Sequence, residues 1–479
     1  MAHPNYTNTQ LYIDGAWTDG SDRETREVID PSTGKTIGTV AMATMQDVER
    51  AATAAGRQFR EWKNGSPTVR SDIIRRCAAL LRERADAIVP LLTWEQGKPL
   101  AQARGEVTGA AEMLEWTAEE GRRSLGITLP ARDPHVVQYT VQEPVGPVAA
   151  FSPWNFPLNI FARKVGCALA AGCTVVAKAA EETPAAAAAV VQCFADAGLP
   201  AGVLNLVFGD PNQISSYLIP HPAIRKVSFT GSSAVGKKLA ALAGTHMKSM
   251  TSELGGHAPA FVFADADIAR TARLLATSKY RNAGQGCGSP SRILVEARAL
   301  DEFVTHFTEV VAKLKVGNGF EAVDMGPLAN PRRLAAIEEL IADAVAKGAT
   351  LAAGGKRIDG PGYFFQPTVL VNVPVTARIM NEEPFGPIGV ICAFRDLDAA
   401  LVEGNRLPYG LASYAYTSST RTARTLVREI EAGMISINHQ GLAPPEVPFA
   451  GVKDSGIGAE SGPGALSGYL VSKFVTQCD

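Results

Sequence analysis

The stretch GPVAAFSPWNFPLNIFARKVGCALAAGCTVVAK, residues 146–178, decides the fold. Two short apolar runs, Pro147–Phe151 and Thr174–Lys178, read as strands, and Asn159–Ala171 between them has the spacing of a helix. A helix between two strands of this length is a crossover, and crossovers build parallel sheets. The pattern continues outward through a helix over Pro184–Ala197, a strand at Val203–Phe208 and a short helix at Ile214–Ile219. A strand at Lys226–Thr230 and a helix at Ser233–Ala243 follow. Thr183 is placed to cap the helix that starts at Pro184, and Gly198 to end it. In a mainly parallel sheet the ligand belongs at the carboxyl ends of the strands.

Beyond Glu253 the series restarts with a strand at Ala260–Phe263, a helix over Asp267–Ala283, a strand at Ile293–Glu296 and a helix over Leu300–Leu314. A second α/β domain is the economical reading, and 479 residues suit two or three domains. The first hundred residues read as short strands (Gln10–Ile13, Val28–Asp30) followed by amphipathic helices over Asp47–Trp62 and Ser71–Trp94. Gly126–Gln142 alternates polar and apolar residues and carries two prolines. It reads as an edge hairpin, as does the tail Gly468–Thr476, and such edges pair between subunits.

Composition excludes several classes. Lys and Arg number 46 against 48 Asp and Glu, so there is no bulk charge to seek nucleic acid or an anionic membrane. Seven cysteines without a CxxC pair argue against a disulfide framework or a structural zinc. The amino terminus lacks an apolar signal core, and the longest weakly polar run, Val165–Ala177, is too short for a bilayer. The expectation is a soluble, cytoplasmic protein that binds no metal.

Cys287 lies in NAGQGCGSP, residues 282–290, where Gly284, Gly286 and Gly288 let backbone and ligand approach the sulfur. Peptide N–H groups of such a turn can stabilise a thiolate, so Cys287 is a candidate nucleophile. Cys167, Cys173, Cys193 and Cys392 lie in apolar segments and read as small core residues. Glu253 ends a short strand before two glycines and is paired, exposed, or a base with a raised pKa. Asn155, in a proline-stiffened apolar loop, offers an amide to an oxyanion, although Asn in such turns is often plain turn chemistry. His257 is the nearest histidine in sequence, but a structural role suits it better than a Cys–His dyad.

For phosphate, no GxGxxG occurs, and Gly231–Lys238 misses a P-loop because Lys238 stands where Ser or Thr would bind magnesium. Gly231-Ser232 still ends a strand at a helix start, where backbone N–H groups can meet a pyrophosphate. Lys178 and Glu181 at another strand exit could hold ribose hydroxyls or be only a solvated charge pair. A carboxylate there disfavours a 2′-phosphate.

Five segments appear in register: FSPWNFP at 151–157, FTGS at 229–232, ELGG at 253–256, GQGC at 284–287 with Arg292, and EPFGP at 383–387. Together they resemble the aldehyde dehydrogenase superfamily from near residue 10 to the carboxyl end, including the 34-residue separation of Glu253 and Cys287. The resemblance implies an α/β fold with two Rossmann-like domains and a small β oligomerisation arm. It places an NAD-binding domain at 1–125 and 144–253, a thiol domain at 254–445, and the arm at 126–143 and 463–479. It implies a cytoplasmic homodimer or homotetramer using NAD, with NADP as the alternative.

The same resemblance implies that the Cys287 thiolate attacks an aldehyde, that Asn155 stabilises the oxyanion, and that Glu253 activates water to hydrolyse the thioester. Cofactor contacts carry over to Ser152, Pro153, Trp154, Lys178, Glu181, Gly209, Phe229, Gly231, Ser232, Val235, Leu254, Glu383 and Phe385. FARKV at 161–165, KYRN at 279–282 and GGHAP at 255–259 resemble the succinate-semialdehyde branch. Arg163 and Arg281, with Phe156 beside them, would then grip a distal carboxylate.

Departures also count. The loop Asn438–Glu446 lacks the serine that succinate-semialdehyde enzymes present, so 2-oxoglutarate semialdehyde fits about as well. Ser289 replaces a second cysteine found in some relatives, which argues against a disulfide switch. Ala179 stands for a usual proline and Ala450 for a usual glycine, and only local shape changes are expected from them. Uncharged or aromatic aldehydes as substrates, a silent binding protein and a stand-alone thiol hydrolase are the competing readings.

Overall fold

The computed structural model describes residues 6–478. Its first sheet has eight strands, in spatial order Ala16–Thr18, Leu11–Ile13, Leu204–Val207, Val175–Lys178, Val148–Phe151, Lys226–Thr230, Ser249–Glu253 and Gly456–Ile457. The five from Leu204–Val207 to Ser249–Glu253 run parallel. Val148–Phe151, Val175–Lys178 and Leu204–Val207 are buried at every position, which is why they read as continuous apolar runs without alternation.

Register decides what this sheet presents. Phe151 pairs with Lys178 and with Phe229, and Thr230 pairs with Glu253. Four strands therefore end level. The loops after them carry Ser152–Asn155, Glu181, Gly231-Ser232 and Leu254 along one edge of the sheet.

The second sheet has seven strands, in order Thr350–Ala353, Thr368–Val371, Ile388–Phe394, Pro290–Glu296, Ala258–Val262, Ala412–Tyr416 and Met434–Ile437. All neighbours are parallel except the pair made by Thr350–Ala353. Its strand Pro290–Glu296 begins three residues after Cys287, so the cysteine lies at the amino-terminal edge of this sheet. Each sheet has its own apolar core. The segments read as separate edges form one sheet: Leu470–Cys478 pairs antiparallel with all of Val136–Pro144, and Thr128–Leu129 adds a short third strand.

Three local expectations are corrected. Ser71–Trp94 is not one helix but parts of two, Pro67–Glu83 and Ala85–Gln96, because Arg84 leaves helical geometry at φ −94° and ψ 9°. The helix expected over Asp267–Ala283 ends at Tyr280, and Asn282, Ala283 and Gly284 then take three consecutive positive φ values of 53°, 52° and 69°. Thr183 occupies the N-cap of Pro184–Asp196, but its hydroxyl caps nothing. The carboxylate of Glu95 accepts the N–H groups of Ala185 and Ala186 instead, at 2.8 and 3.2 Å.

Among the described residues no helix is long and apolar enough to cross a membrane, and no group of three His, Cys, Asp or Glu side chains is placed to hold a metal ion. All seven cysteines are free. Cys77 is buried in the first core, which also holds Cys167, Cys173 and Cys193.

Candidate active site

The left-handed run at Asn282–Gly284 folds the chain back so that Cys287 faces the first sheet. Only glycine fits at 284, since a Cβ there would lie 2.1 Å from the carbonyl oxygen of Gly386. Gly256 approaches from the other side, and a Cβ on it would meet the Cys287 carbonyl at 2.5 Å. Burial pushes the Cys287 thiol up to about 12. The charges of Glu383 and Glu253 add to this, while Arg163 and the Gly288 N–H pull it down.

Asn155 leaves the first sheet and reaches this turn. Its side-chain Nδ2 donates to the Gln285 carbonyl at 3.2 Å, two residues before Cys287. Asn282 Nδ2 donates to the same carbonyl at 3.3 Å and to the Asn155 carbonyl at 3.0 Å. Gln285 is wholly buried and is held through the Asn282 carbonyl and the Ala329 N–H.

Glu253, 2% exposed, has both carboxylate oxygens buried without a hydrogen-bond partner. Burial raises its pKa well above the ordinary range, Glu460 raises it further, and Lys164 and Arg163 oppose the shift. Of the three possibilities sequence left open, this geometry matches a carboxyl with a raised pKa. His257 is buried with its ring nitrogens 2.8 Å from Ser291 Oγ and 2.8 Å from the Ile379 carbonyl, so neither is spare for the thiol.

Arg163 is 7% exposed on the fully buried side of the helix Pro157–Ala171. It makes no ion pair among the described residues, and its Nε has no hydrogen-bond partner. Its guanidinium lies over Phe449, 4.7 Å from the ring centroid. Arg281 is exposed and likewise unpaired among the described residues. Phe156 packs under the ammonium of Lys98 at 4.5 Å.

On the nucleotide side, Lys178 Nζ contacts both oxygens of Glu181 at 2.7 and 2.9 Å, and Glu181 also accepts the Gly209 N–H at 3.0 Å. Ser232 caps the helix Ser233–Thr245 by accepting from Val235 N–H, and Val235 itself is exposed. Gly236 lets that helix close onto Leu254, since a Cβ would be 2.3 Å from it. Glu383 accepts the Gly256 N–H at 3.1 Å, and burial pushes its carboxyl up to about 7. Phe385, at φ 42°, meets Trp154 edge-on with ring centroids 5.5 Å apart.

A dinucleotide fits these residues. Ser152 Oγ and Thr230 Oγ1 are buried without hydrogen-bond partners at two level strand ends. Directly after Thr230 comes a helix start with an exposed apolar side chain, Val235, suited to a pyrophosphate and an adenine face. Pro153 and Phe229 complete the same edge.

Sequence reasoning missed the partners that hold these groups: Lys98, Glu106, Gln102, Asn282, Gln285 and Phe449. For the five polar ones the only sequence signal was polar type inside otherwise apolar or helical segments, and Phe449 gave none.

Comparison with known proteins agrees in extent with this architecture. Residues 17–475 match the aldehyde dehydrogenase family. A putative 4-(hydroxymethyl)benzenesulfonate dehydrogenase of Comamonas testosteroni is 45% identical over 98% of each chain. A glutarate-semialdehyde dehydrogenase of Pseudomonas putida is 41% identical over 97% of each chain. The crystal structure of a succinate-semialdehyde dehydrogenase from Burkholderia pseudomallei superposes with a TM-score of 0.97 at 41% identity, covering all of both chains.

Proposed function

The chain belongs to the aldehyde dehydrogenase family and is an NAD(P)-dependent oxidoreductase acting on aldehydes, and from that premise we propose that its substrate is a short aldehyde bearing a distal carboxylate, of the succinate-semialdehyde type. One observation carries this reading: Arg163 is a buried guanidinium without an anionic partner, stacked on Phe449. A buried cation left unpaired is costly unless a ligand supplies the charge. 2-Oxoglutarate semialdehyde meets the same requirement. A second reading, an aromatic aldehyde carrying an acid group, is favoured by the Phe449 face beside Arg163 and by the benzenesulfonate relative.

When bound, the dinucleotide supplies the hydride acceptor. It would be held by Lys178, Glu181 and Ser232 of the segments 1–125 and 144–253, and by Glu383 and Phe385 of the segment 254–445. Cys287 Sγ forms a bond to the aldehyde carbon, giving a thiohemiacetal and, after oxidation, a thioester. Asn155 Nδ2 donates to the oxygen as it gains charge. Glu253 takes a proton from the water that attacks the thioester, the C–S bond breaks, and the thiol regains its proton as the acid leaves. The Glu181 carboxylate supports a preference for NAD. The exposed apolar residues Val137 and Phe474 of the three-stranded sheet, with Ile127 just before its short strand, support pairing into a dimer or tetramer. Seven free cysteines suit the reducing cytoplasm.

The test is a panel of succinate, glutarate and 2-oxoglutarate semialdehydes, 4-formylbenzenesulfonate and benzaldehyde, each with NAD and NADP. The acid semialdehydes are expected to give the highest kcat/KM. Equal rates with benzaldehyde at low concentration would defeat the anionic reading.

A further inference from the structure

The group that faces Asn155 from behind is itself unusual. Lys98 and Glu106 form an ion pair with both side chains almost wholly buried. Lys98 Nζ also donates to the Asn155 carbonyl at 3.0 Å. The other Glu106 oxygen accepts the N–H groups of Leu158 and Asn159 at 2.9 and 3.2 Å. It thereby caps the helix Pro157–Ala171, whose own N-cap residue, Phe156, has no capping side chain. These three contacts with the 155–159 segment thus come from one pair.

Glu106 lies on the helix Leu100–Glu120, and so does Gln102, one turn earlier on the same face. Gln102 Oε1 accepts the Asn282 N–H at 2.9 Å. Asn282 in turn bridges the Asn155 and Gln285 carbonyls. One helix therefore grips both sides of the site: the Asn155 segment through Glu106, joined by Lys98 just before the helix, and the Cys287 turn through Gln102.

We propose that Lys98 and Glu106 are positioning residues that, with Gln102, set the amide of Asn155 against the sulfur of Cys287. A buried ion pair is a poor source of stability, because desolvation roughly cancels its attraction. Its hydrogen bonds instead go to one carbonyl and two amide N–H groups of the segment that carries one catalytic amide. The inference rests on Asn155 as the oxyanion donor, and the test separates the two statements.

Lys98→Met, Glu106→Gln, the paired replacement Lys98→Met with Glu106→Met, and Asn155→Ala are compared, together with Lys98→Met in the Asn155→Ala background. The readouts are the first-turnover burst of reduced cofactor with succinate semialdehyde, KM, and the melting temperature. The paired apolar replacement guards against misfolding, since it leaves no uncompensated charge. Each Lys98 or Glu106 variant is expected to slow the burst on the order of 10- to 100-fold, as small misplacements of a catalytic group do, with KM within about two-fold. In the Asn155→Ala background the Lys98 change is expected to cost nothing further, because the group it aims is gone. An equal Lys98 effect with and without Asn155, or a lowered melting temperature with an unchanged burst, overturns the positioning role. A normal burst in Asn155→Ala overturns the oxyanion assignment and the proposal with it.

Discussion

The side chain of Asn155 and the backbone of Gln285 meet at 3.2 Å, and this contact joins the two sheets at the point where chemistry is proposed. Asn155 belongs to a strand exit of the first sheet, Gln285 to the turn before a strand of the second. The proposed nucleophile and oxyanion donor therefore come from different cores. Glu253, at a third level strand end, approaches without a single hydrogen bond to its carboxylate.

The two halves of the reaction are expected to separate in variants. Cys287→Ala should abolish product formation by about three orders of magnitude or more, because no thiohemiacetal forms. Glu253→Gln should keep the first-turnover burst but slow steady-state turnover by about 10²- to 10⁴-fold, since only thioester hydrolysis needs the base. Rapid-mixing absorbance at the reduced-nicotinamide band distinguishes these. A Glu253→Gln enzyme with normal turnover would remove Glu253 from the mechanism.

Arg163 is predicted to act on pH as well as on substrate. Its positive charge lowers the pKa of both Cys287 and Glu253, whose burial raises them. Each is an acid whose reactive form is ionised, so a raised pKa moves the rise of activity with pH to higher pH. Arg163→Met removes a charge that favours both ionised forms, so the rising limb of kcat/KM should move to higher pH with any aldehyde. With succinate semialdehyde alone, KM should also rise about 10- to 100-fold, the worth of a charge-assisted contact. Propanal as a neutral control separates the effects, and an unmoved limb would contradict the first.

Much of this site was legible in the chain because its strands are short, apolar and buried, and because Cys287, Glu253 and Asn155 lie beside glycines or prolines that only a tight site requires. What stayed hidden depends on partners far away in sequence. Glu95 caps a helix 90 residues further on, displacing Thr183, which had the right residue type at the right place. Arg84 breaks an amphipathic run whose apolar period continues through it, so periodicity could not mark the break. Lys98 and Glu106 look like ordinary surface charges until the fold buries them together.

Cofactor choice is predicted to turn on Glu181. Its carboxylate is held by Lys178 and by the Gly209 N–H, so it cannot easily swing aside for a 2′-phosphate. Glu181→Ser removes the repulsion and frees the Lys178 ammonium. The ratio of kcat/KM for NADP over NAD should rise by about ten-fold or more, the scale of one charge contact. An unchanged ratio, measured with one aldehyde at saturation, would place the 2′-hydroxyl elsewhere.

The sharpest conformational test is Gly284→Ala against Gly105→Ala. At Gly284, φ is +69° and an added Cβ would lie 2.1 Å from the Gly386 carbonyl oxygen, so the methyl cannot be accommodated without moving the turn. The backbone strain alone costs about 1–3 kcal/mol. The displacement also falls on Gln285 and Cys287, so activity should drop by more than stability does. Gly105 is exposed in the middle of the helix Leu100–Glu120, and a Cβ there meets nothing within 4 Å. Alanine at 105 should therefore stabilise the helix by about 0.5–1 kcal/mol and leave turnover alone. Melting curves and kcat measured on both proteins decide the matter: a fully active Gly284→Ala enzyme would mean that the left-handed run does not aim the thiol.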